Sequence, residues 1–233
     1  MMIVATAIIN PVFACANEVK IAIIDSGATA YVDRAISFTS IPANSDPLHH
    51  GTVVSELIRQ GAPDATLYML QVCEKIDGNF KPSNKAVKEA IEWAIVHQVN
   101  VVNMSLVIDY DTDIDNLITK ASTQNGILFV AAAGNDSMKS RFAMSPEGFV
   151  TKSSTESIAS FPASNPHVIS VGGINRDGKL ASYSNKGNDI YADGKVAGEE
   201  GSSFSCARIS GKVAEILKSY QVSNKNLILA YLK

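Results

Sequence analysis

Short apolar runs alternate along the chain with segments whose apolar residues recur every three or four positions. The runs are rich in Val and Ile and comprise residues 20–24, 66–73, 100–104, 127–133 and 168–174. Because they are mostly apolar throughout, we predict strands that are buried on both faces. The intervening spacing predicts amphipathic helices. This alternation predicts a three-layer α/β fold, with a mainly parallel sheet and helices on both of its faces.

Four helices follow from the spacing of apolar residues. Their apolar faces lie within residues 53–58, 87–94, 114–121 and 209–220. Ser83 is a candidate N-cap for the second helix, and Asn125-Gly126 is a stop signal for the third. Segments 38–49 and 136–158 are polar and lack a period, so we predict loops. The second loop is long enough that we expect it to be either functional or mobile.

Composition restricts the class of protein. The 233 residues suffice for one sizeable domain, which we assign to residues 17–233. A net charge of −3 offers no basic surface for nucleic acid, and no apolar run is long enough for a transmembrane segment. The three cysteines form neither a disulfide framework nor a C-x-x-C zinc pair. We interpret Cys73 and Cys206 as small buried residues. A single disulfide between two of the cysteines is an alternative that the sequence leaves open.

The N-terminal residues 1–16 are apolar and end in the small-residue cleavage pattern Ala14-Cys15-Ala16. They lack a positive region and contain Pro11. Our hypothesis is a short or truncated export signal, which implies a periplasmic or extracellular protein. The alternatives are a lipid-anchored Cys15 and a segment that packs on the domain, and without export the protein would be cytoplasmic.

Four polar residues lie at boundaries of the predicted strands and helices: Asp25, His50, Asn135 and Ser203. In open α/β sheets, functional sites form at the carboxyl ends of the parallel strands, so these four side chains can meet at one edge of the sheet. Each alone has a simpler role as a turn former, helix start or N-cap. Together they form a reactive set. Histidine titrates near neutrality and activates a serine, a carboxylate orients the imidazole, and an amide donates to an oxyanion.

Seven segments from about Val19 to about Leu217 resemble successive motifs of the subtilisin-like serine peptidases (subtilases): IAIIDSG, HHGTVV, VVNMSL, ILFVAAAGND, FPASNPHVISVGG, YSNKG and GSSFSCARISG. The family order Asp, His, Ser is present. The resemblance implies a subtilisin-like fold and a serine endopeptidase that cleaves protein or peptide substrates through an acyl-enzyme. It implies that Asp25 orients His50, that His50 is general base and acid, and that Ser203 attacks.

The resemblance also implies binding roles. Asn135 would donate to the oxyanion together with the backbone N–H of Ser203. Two segments would flank the substrate backbone and pair with it as an added strand: Ser105, Leu106, Val107 and Ala132, Ala133, Gly134. No cofactor is implied, and the link after the histidine helix is too short for the family's calcium loop, so we expect no calcium site of that kind and assign no metal ligand.

Departures from the family pattern leave alternatives open. Val107 and Ile108 stand where two glycines are common, and their branched side chains would narrow the substrate groove. Few residues precede the first strand, where exported members carry a folding pro-segment. One alternative is therefore a catalytically weak subtilase-like domain that binds peptides or assists a partner protein. Another is a phospho-receiver-like domain with Asp25 as its reactive group.

Every second residue from Asp109 to Asp115 is an aspartate. This spacing is also found in calcium loops, but Ile114 replaces the turn glycine and Lys120 the bidentate glutamate. We therefore predict a solvated helix start, where the helix dipole favours acidic residues. A further hypothesis is that this acidic run favours basic substrate residues.

Overall fold

The computed structural model describes residues 18–137, 143–144, 150–151 and 158–233. Within these residues seven parallel strands form one sheet: β1 (Lys20–Asp25), β2 (Arg34–Ser37), β3 (Thr66–Gln71), β6 (Val101–Met104), β7 (Leu128–Ala132), β10 (Val168–Ile174) and β11 (Ile190–Asp193). Their order across the sheet is β11-β10-β7-β6-β1-β3-β2.

Six further strands form three antiparallel pairs outside this sheet. The pairs are β4 (Cys73–Ile76) with β5 (Asn79–Pro82), β8 (Ala143–Met144) with β9 (Val150–Thr151), and β12 (Lys195–Val196) with β13 (Glu199–Glu200). The helices of the described residues are α1 (His50–Gly61), α2 (Asn84–Val96), α3 (Thr112–Asn125), α4 (Ser202–Tyr220) and α5 (Lys225–Leu232).

The helices form two layers with separate apolar cores. Helices α1, α4 and α5 share one core on one face of the sheet, and α2 and α3 share the other. Helices α1 and α4 pack closely where Gly61 faces Gly211. A Cβ added at Gly211 would lie only 3.0 Å from the Cα of Gly61, so the close packing depends on glycine there. The predicted three-layer α/β architecture is therefore confirmed.

All five predicted strands lie in the main sheet, and β10 has the predicted bounds. The predicted run 66–73 divides, because β3 ends at Gln71 and Cys73 begins the hairpin β4–β5. The sequence did not predict β2 and β11. They are the two edge strands and are only partly buried, so neither has the continuous apolar run of a central strand.

The acidic segment 109–115 is a helix start, as predicted. Asp111 is the N-cap of α3, and its carboxylate accepts from the N–H groups of Asp113 and Ile114 at 2.9 and 3.1 Å. Gly126 ends α3 in the left-handed region, with φ 69°. Ser83 is the N-cap of α2, but its side chain makes no capping hydrogen bond.

Cys73 and Cys206 are buried free thiols, as predicted, and burial raises the pKa of each to about 12. They do not pair with each other. No helix in the described part of the chain is long and apolar enough to cross a membrane. The export signal hypothesised at 1–16 and most of the loop predicted at 136–158 lie outside the described residues.

Candidate active site

Asp25 and His50 are in contact at one end of the sheet. Asp25 ends β1 and His50 begins α1. The Oδ1 atom of Asp25 lies 2.7 Å from Nδ1 of His50 and also accepts from the N–H of Ser26 at 2.7 Å. This contact matches the tautomer in which Nδ1 carries the proton and donates it to the carboxyl oxygen. In that tautomer the Nε2 lone pair is available to take up a proton.

The start of α1 approaches the end of β1 because glycine follows His50. A Cβ on Gly51 would lie 2.1 Å from the carbonyl oxygen of Gly27 and 3.2 Å from Oδ1 of Asp25. Any larger residue would push the helix away from the strand. The close pairing of carboxylate and imidazole therefore depends on the sequence His-Gly.

The environment of His50 favours its protonated form. Burial acts to lower its pKa, but the charge of Asp25 and their hydrogen bond act in the other direction, as do the charges of Asp46 and Glu199. The net result is a pKa raised above the ordinary value of 6.5. The ring lies against α4, since its centroid is 5.8 Å from that of Phe204.

Ser203 lies in the first turn of α4 and is partly buried. Its hydroxyl donates to the carbonyl oxygen of Ser105 at 2.9 Å, and the Ser105 hydroxyl donates to the Ser203 carbonyl at 2.8 Å. Among the hydrogen bonds of the described residues, none joins Ser203 to His50. The structure thus brings Asp25 and His50 into contact. It holds the hydroxyl of Ser203, the third predicted catalytic residue, against Ser105.

Asn135 is exposed just after β7, and its Oδ1 atom accepts from the N–H and the hydroxyl of Ser202, both at 2.9 Å. A backbone N–H can only donate, so the amide oxygen must face Ser202 and the Nδ2 donor must lie on the other side. A Cβ at Gly201 would lie 3.2 Å from that Nδ2. Glycine therefore leaves space beside the donor.

The four backbone groups of Ala133 and Gly134 are all engaged within the protein. Their partners, at 2.9–3.2 Å, are the Val171 carbonyl, the Ser160 N–H, the Ser202 hydroxyl and the Asn185 N–H. Both N–H groups are thus engaged, whereas the Gly134 carbonyl accepts a single hydrogen bond and has a second lone pair. Strand pairing of a substrate at Ala133 and Gly134 stays a prediction.

The other expected binding segment is more open. Leu106 is partly buried, and Val107 is 41% exposed. Ile108, the second branched residue, is buried and donates its N–H to the Phe161 carbonyl at 3.1 Å. Of the two branched residues, only Val107 therefore presents its side chain to solvent.

Sequence reasoning missed Asp46, which lies in the loop before α1. Its carboxylate bonds to Ser26, the neighbour of Asp25, and to Thr52, two positions after His50. It accepts from the Ser26 hydroxyl at 2.7 Å and from the N–H and hydroxyl of Thr52 at 2.8 and 2.7 Å. The only sequence signal is an aspartate shortly before a predicted helix. Within the described ranges, no cluster of three or more His, Cys, Asp or Glu residues could hold a metal ion.

Comparison with known sequences assigns the chain to a family. The model of the subtilase family matches residues 16–232. The minor extracellular protease Epr of Bacillus subtilis is 28% identical over 190 residues, and the match covers 75% of this chain and 26% of that protein. Subtilisin E of the same species is 25% identical over 232 residues, covering 88% of this chain and 56% of the relative.

The chain spans 26–59% of the length of the first three curated relatives that it matches. A cold adapted subtilisin-like serine proteinase superposes with a TM-score of 0.71 at 22% identity, covering 91% of this chain and 80% of that one. A lanthipeptide protease gives the same TM-score at 20% identity, with 92% and 78% covered. These structures establish the likeness of fold. Because the family model matches almost every residue, the chain belongs to the subtilase family.

Proposed function

We propose that this protein is a serine endopeptidase that hydrolyses protein or peptide substrates through Asp25, His50 and Ser203. The observation that carries the proposal is the 2.7 Å contact between Asp25 and His50, made against the first turn of the helix that presents Ser203. In this mechanism Nε2 of His50 removes the Ser203 proton while Oγ attacks the substrate carbonyl.

The proposed reaction is an acyl transfer in two halves. The proton on His50 passes to the leaving amine as the peptide bond breaks, which leaves an ester on Ser203. A water molecule then gives a proton to His50, attacks the ester and releases the acid, and the proton returns to Ser203. Asp25 orients the His50 ring and stabilises the imidazolium that forms during acylation and again during deacylation.

The Ser203 hydroxyl must leave Ser105 before it can react. Its hydrogen bond to the Ser105 carbonyl involves one rotatable side chain, and such rotations take picoseconds to nanoseconds at partly exposed sites. Catalytic hydrogen bonds are often loose without substrate and tighten in the complex. A rotation about the Cα–Cβ bond of Ser203 is therefore part of the proposal.

The oxyanion would be bound by the Nδ2 group of Asn135 and the backbone N–H of Ser203. Support comes from the orientation of the Asn135 amide, whose oxygen is occupied by Ser202 while its donor lies beside Gly201. The N-terminus of α4 adds the positive end of a helix dipole. These donors act where negative charge develops during attack.

The substrate would lie between two segments that contribute differently. Ser105, Leu106 and Val107 would pair with its backbone, and the exposed Val107 side chain would narrow the groove. Ala133 and Gly134 would form the wall on the other side. We further propose that residues 17–233 act as one peptidase domain, exported with 1–16 as the signal. One matched relative carries the name of an extracellular protease.

Labelling with a fluorophosphonate tests the assignment of the nucleophile. We expect one probe per chain, attached within the tryptic peptide 196–208, and fragment ions must distinguish Ser203 from Ser202 and Ser205. The Ser203→Ala variant should not be labelled, whereas Ser223→Ala, at an exposed serine outside the site, should be labelled like the wild type. Labelling at another serine, or none at all, would contradict the proposal.

One observation favours a second candidate function, a peptide-binding domain with weak catalysis. The Ser203 hydroxyl is bonded to Ser105 rather than to His50. This candidate predicts no labelling but measurable binding of peptides to the Ser105–Val107 segment. Peptide binding by the wild type that persists unchanged in Ser203→Ala, with neither protein cleaving peptide, would favour it.

A further inference from the structure

Asp46 bonds to the two structural units that carry the Asp25–His50 pair. On one side, its Oδ1 atom accepts from the Ser26 hydroxyl at 2.7 Å. Ser26 directly follows Asp25, and its N–H and hydroxyl both approach Oδ1 of Asp25, at 2.7 and 3.2 Å. Asp46 therefore contacts the end of β1 through a single intervening side chain.

On its other side Asp46 caps α1. Its Oδ2 atom accepts from the N–H of Thr52 at 2.8 Å and from the Thr52 hydroxyl at 2.7 Å. The neighbouring N–H of Gly51 donates to the Ser26 hydroxyl at 3.1 Å. Two of the unpaired N–H groups in the first turn of α1 are thus satisfied by the Asp46–Ser26 pair. The N-cap residue His49 makes no capping bond with its own side chain.

We propose that Asp46 is a positioning residue for the reaction, which holds α1 and the end of β1 at the separation that lets His50 meet Asp25. This inference rests on the proposed function. The carboxylate of Asp46 bonds to Ser26 and Thr52, so it acts on the reaction through these two residues. A shift of the imidazole by about 1 Å would be enough to cost roughly a hundred-fold in rate.

Asp46 also contributes charge at the site. The charged groups that act on His50 come from three elements: Asp25 from β1, Asp46 from the preceding loop and Glu199 from β13. All three are acidic, and α4 contributes the uncharged ring of Phe204. Removing the charge of Asp46 should therefore lower the pKa of His50, because less negative charge remains to stabilise the imidazolium.

Two substitutions separate the cap on Thr52 from the charge. Asp46→Asn keeps an oxygen that accepts from Thr52, places an amide donor where the acceptor for Ser26 was, and removes the charge. Asp46→Ala removes both hydrogen-bonding positions and the charge. We expect Asp46→Asn to move the acid limb of kcat/KM down by on the order of half a pH unit. We expect Asp46→Ala to show the same shift and to lose about ten- to a hundred-fold in kcat.

A second measurement does not depend on catalysis. The His50 ring is titrated by NMR in the Ser203→Ala background, with and without Asp46→Asn, and its signal is assigned with His50→Gln among the four histidines of the chain. A lower pKa after Asp46→Asn supports the proposal even if the protein turns out not to cleave peptides. Failure of labelling at Ser203 would instead count against the proposed function alone.

Asp64→Asn is the matched control. Asp64 is an exposed aspartate that follows the C-terminal end of α1 and pairs with Lys218, so the same chemical change there should alter neither the His50 pKa nor kcat. The proposal is overturned if Asp46→Ala keeps kcat within twofold and leaves the titration of His50 unchanged. If Asp46→Ala does not fold, an unchanged His50 pKa in Asp46→Asn overturns it.

Discussion

Two pairs of helices begin in different ways. Helices α3 and α5 are capped by the residue that directly precedes them, Asp111 and Asn224, whose side chains accept from N–H groups of the first turn. In α1 and α4 the acceptors come from elsewhere: Asp46 for α1, and Asn135, 67 positions away in the chain, for α4. The locally capped pair carries none of the proposed catalytic residues, and the other pair carries His50 and Ser203.

The difference shows how a helix N-terminus is kept available for chemistry. A local cap folds its side chain over the first turn and occupies the N–H groups there. The residue before α4 is Gly201, which has no side chain, and the distant Asn135 satisfies the N–H of Ser202. Capping from a distance therefore stabilises the helix, joins it to a neighbouring strand and leaves space in front of Ser203.

The largest expected effect is at Ser203, on the distantly capped side. Ser203→Ala should reduce kcat for a fluorogenic peptide by about a million-fold, which is the magnitude known for the equivalent change in a subtilisin. The free energy of unfolding should change by only about 1 kcal/mol, since one hydrogen bond to Ser105 is lost. Activity within tenfold of the wild type would rule out Ser203 as the nucleophile.

Asn135 combines a cap and a proposed oxyanion donor, and two variants separate these roles. Asn135→Ala and Asn135→Asp should both reduce kcat by about a hundred- to a thousand-fold, because each loses the Nδ2 donor; this range too is the one known for a subtilisin. Only Asn135→Ala should also lower the free energy of unfolding, by about 1 kcal/mol, since aspartate still accepts from the N–H of Ser202.

Kinetics and urea unfolding of the same two proteins provide the measurements. Equal stability loss in both Asn135 variants would mean that the bond to Ser202 does not stabilise α4. Full activity in Asn135→Asp would mean that the amide donor has no part in catalysis.

The pH dependence tests the Asp25–His50 contact. Activity requires the neutral imidazole, so kcat/KM should rise with pH through a pKa above 6.5. Stability has the opposite sign. A histidine pKa raised in the folded state contributes stability that is fully present below about 6.5 and is lost as pH rises through the folded value. His50→Gln should remove that part of the pH dependence of unfolding, and an acid limb below 6.5 would argue against the contact.

The smallest effect on activity is expected at a local cap. Asp111→Ala should lower the free energy of unfolding by about 1 kcal/mol, because two N–H groups of α3 lose their acceptor. Asp111→Asn, which keeps an acceptor, should be nearly neutral. Both should leave kcat unchanged. A large loss of kcat in either would show that the two kinds of cap do not differ in function as proposed.

The fold was predictable where burial is complete and local signals agree. The interior strand β10 is buried on both faces, and α3 has an acidic start and a glycine stop, so each was found from the pattern alone. The edge strands β2 and β11 escaped prediction because partial burial leaves no continuous apolar run. Edge strands depend on backbone pairing with a neighbour that local sequence does not identify.

The sequence by itself determined the layers of the fold, the family, and which residue types are offered for chemistry, because burial patterns, motifs and local caps are written in neighbouring positions. Only the tertiary structure decided that Asp25 and His50 touch and that Ser203 bonds to Ser105. It alone also showed that the N–H groups of Ala133 and Gly134 are engaged within the protein and that Asp46 links two elements. The physical reason is that hydrogen bonds between distant segments depend on ångström-scale approach, which is set by how helices and strands pack.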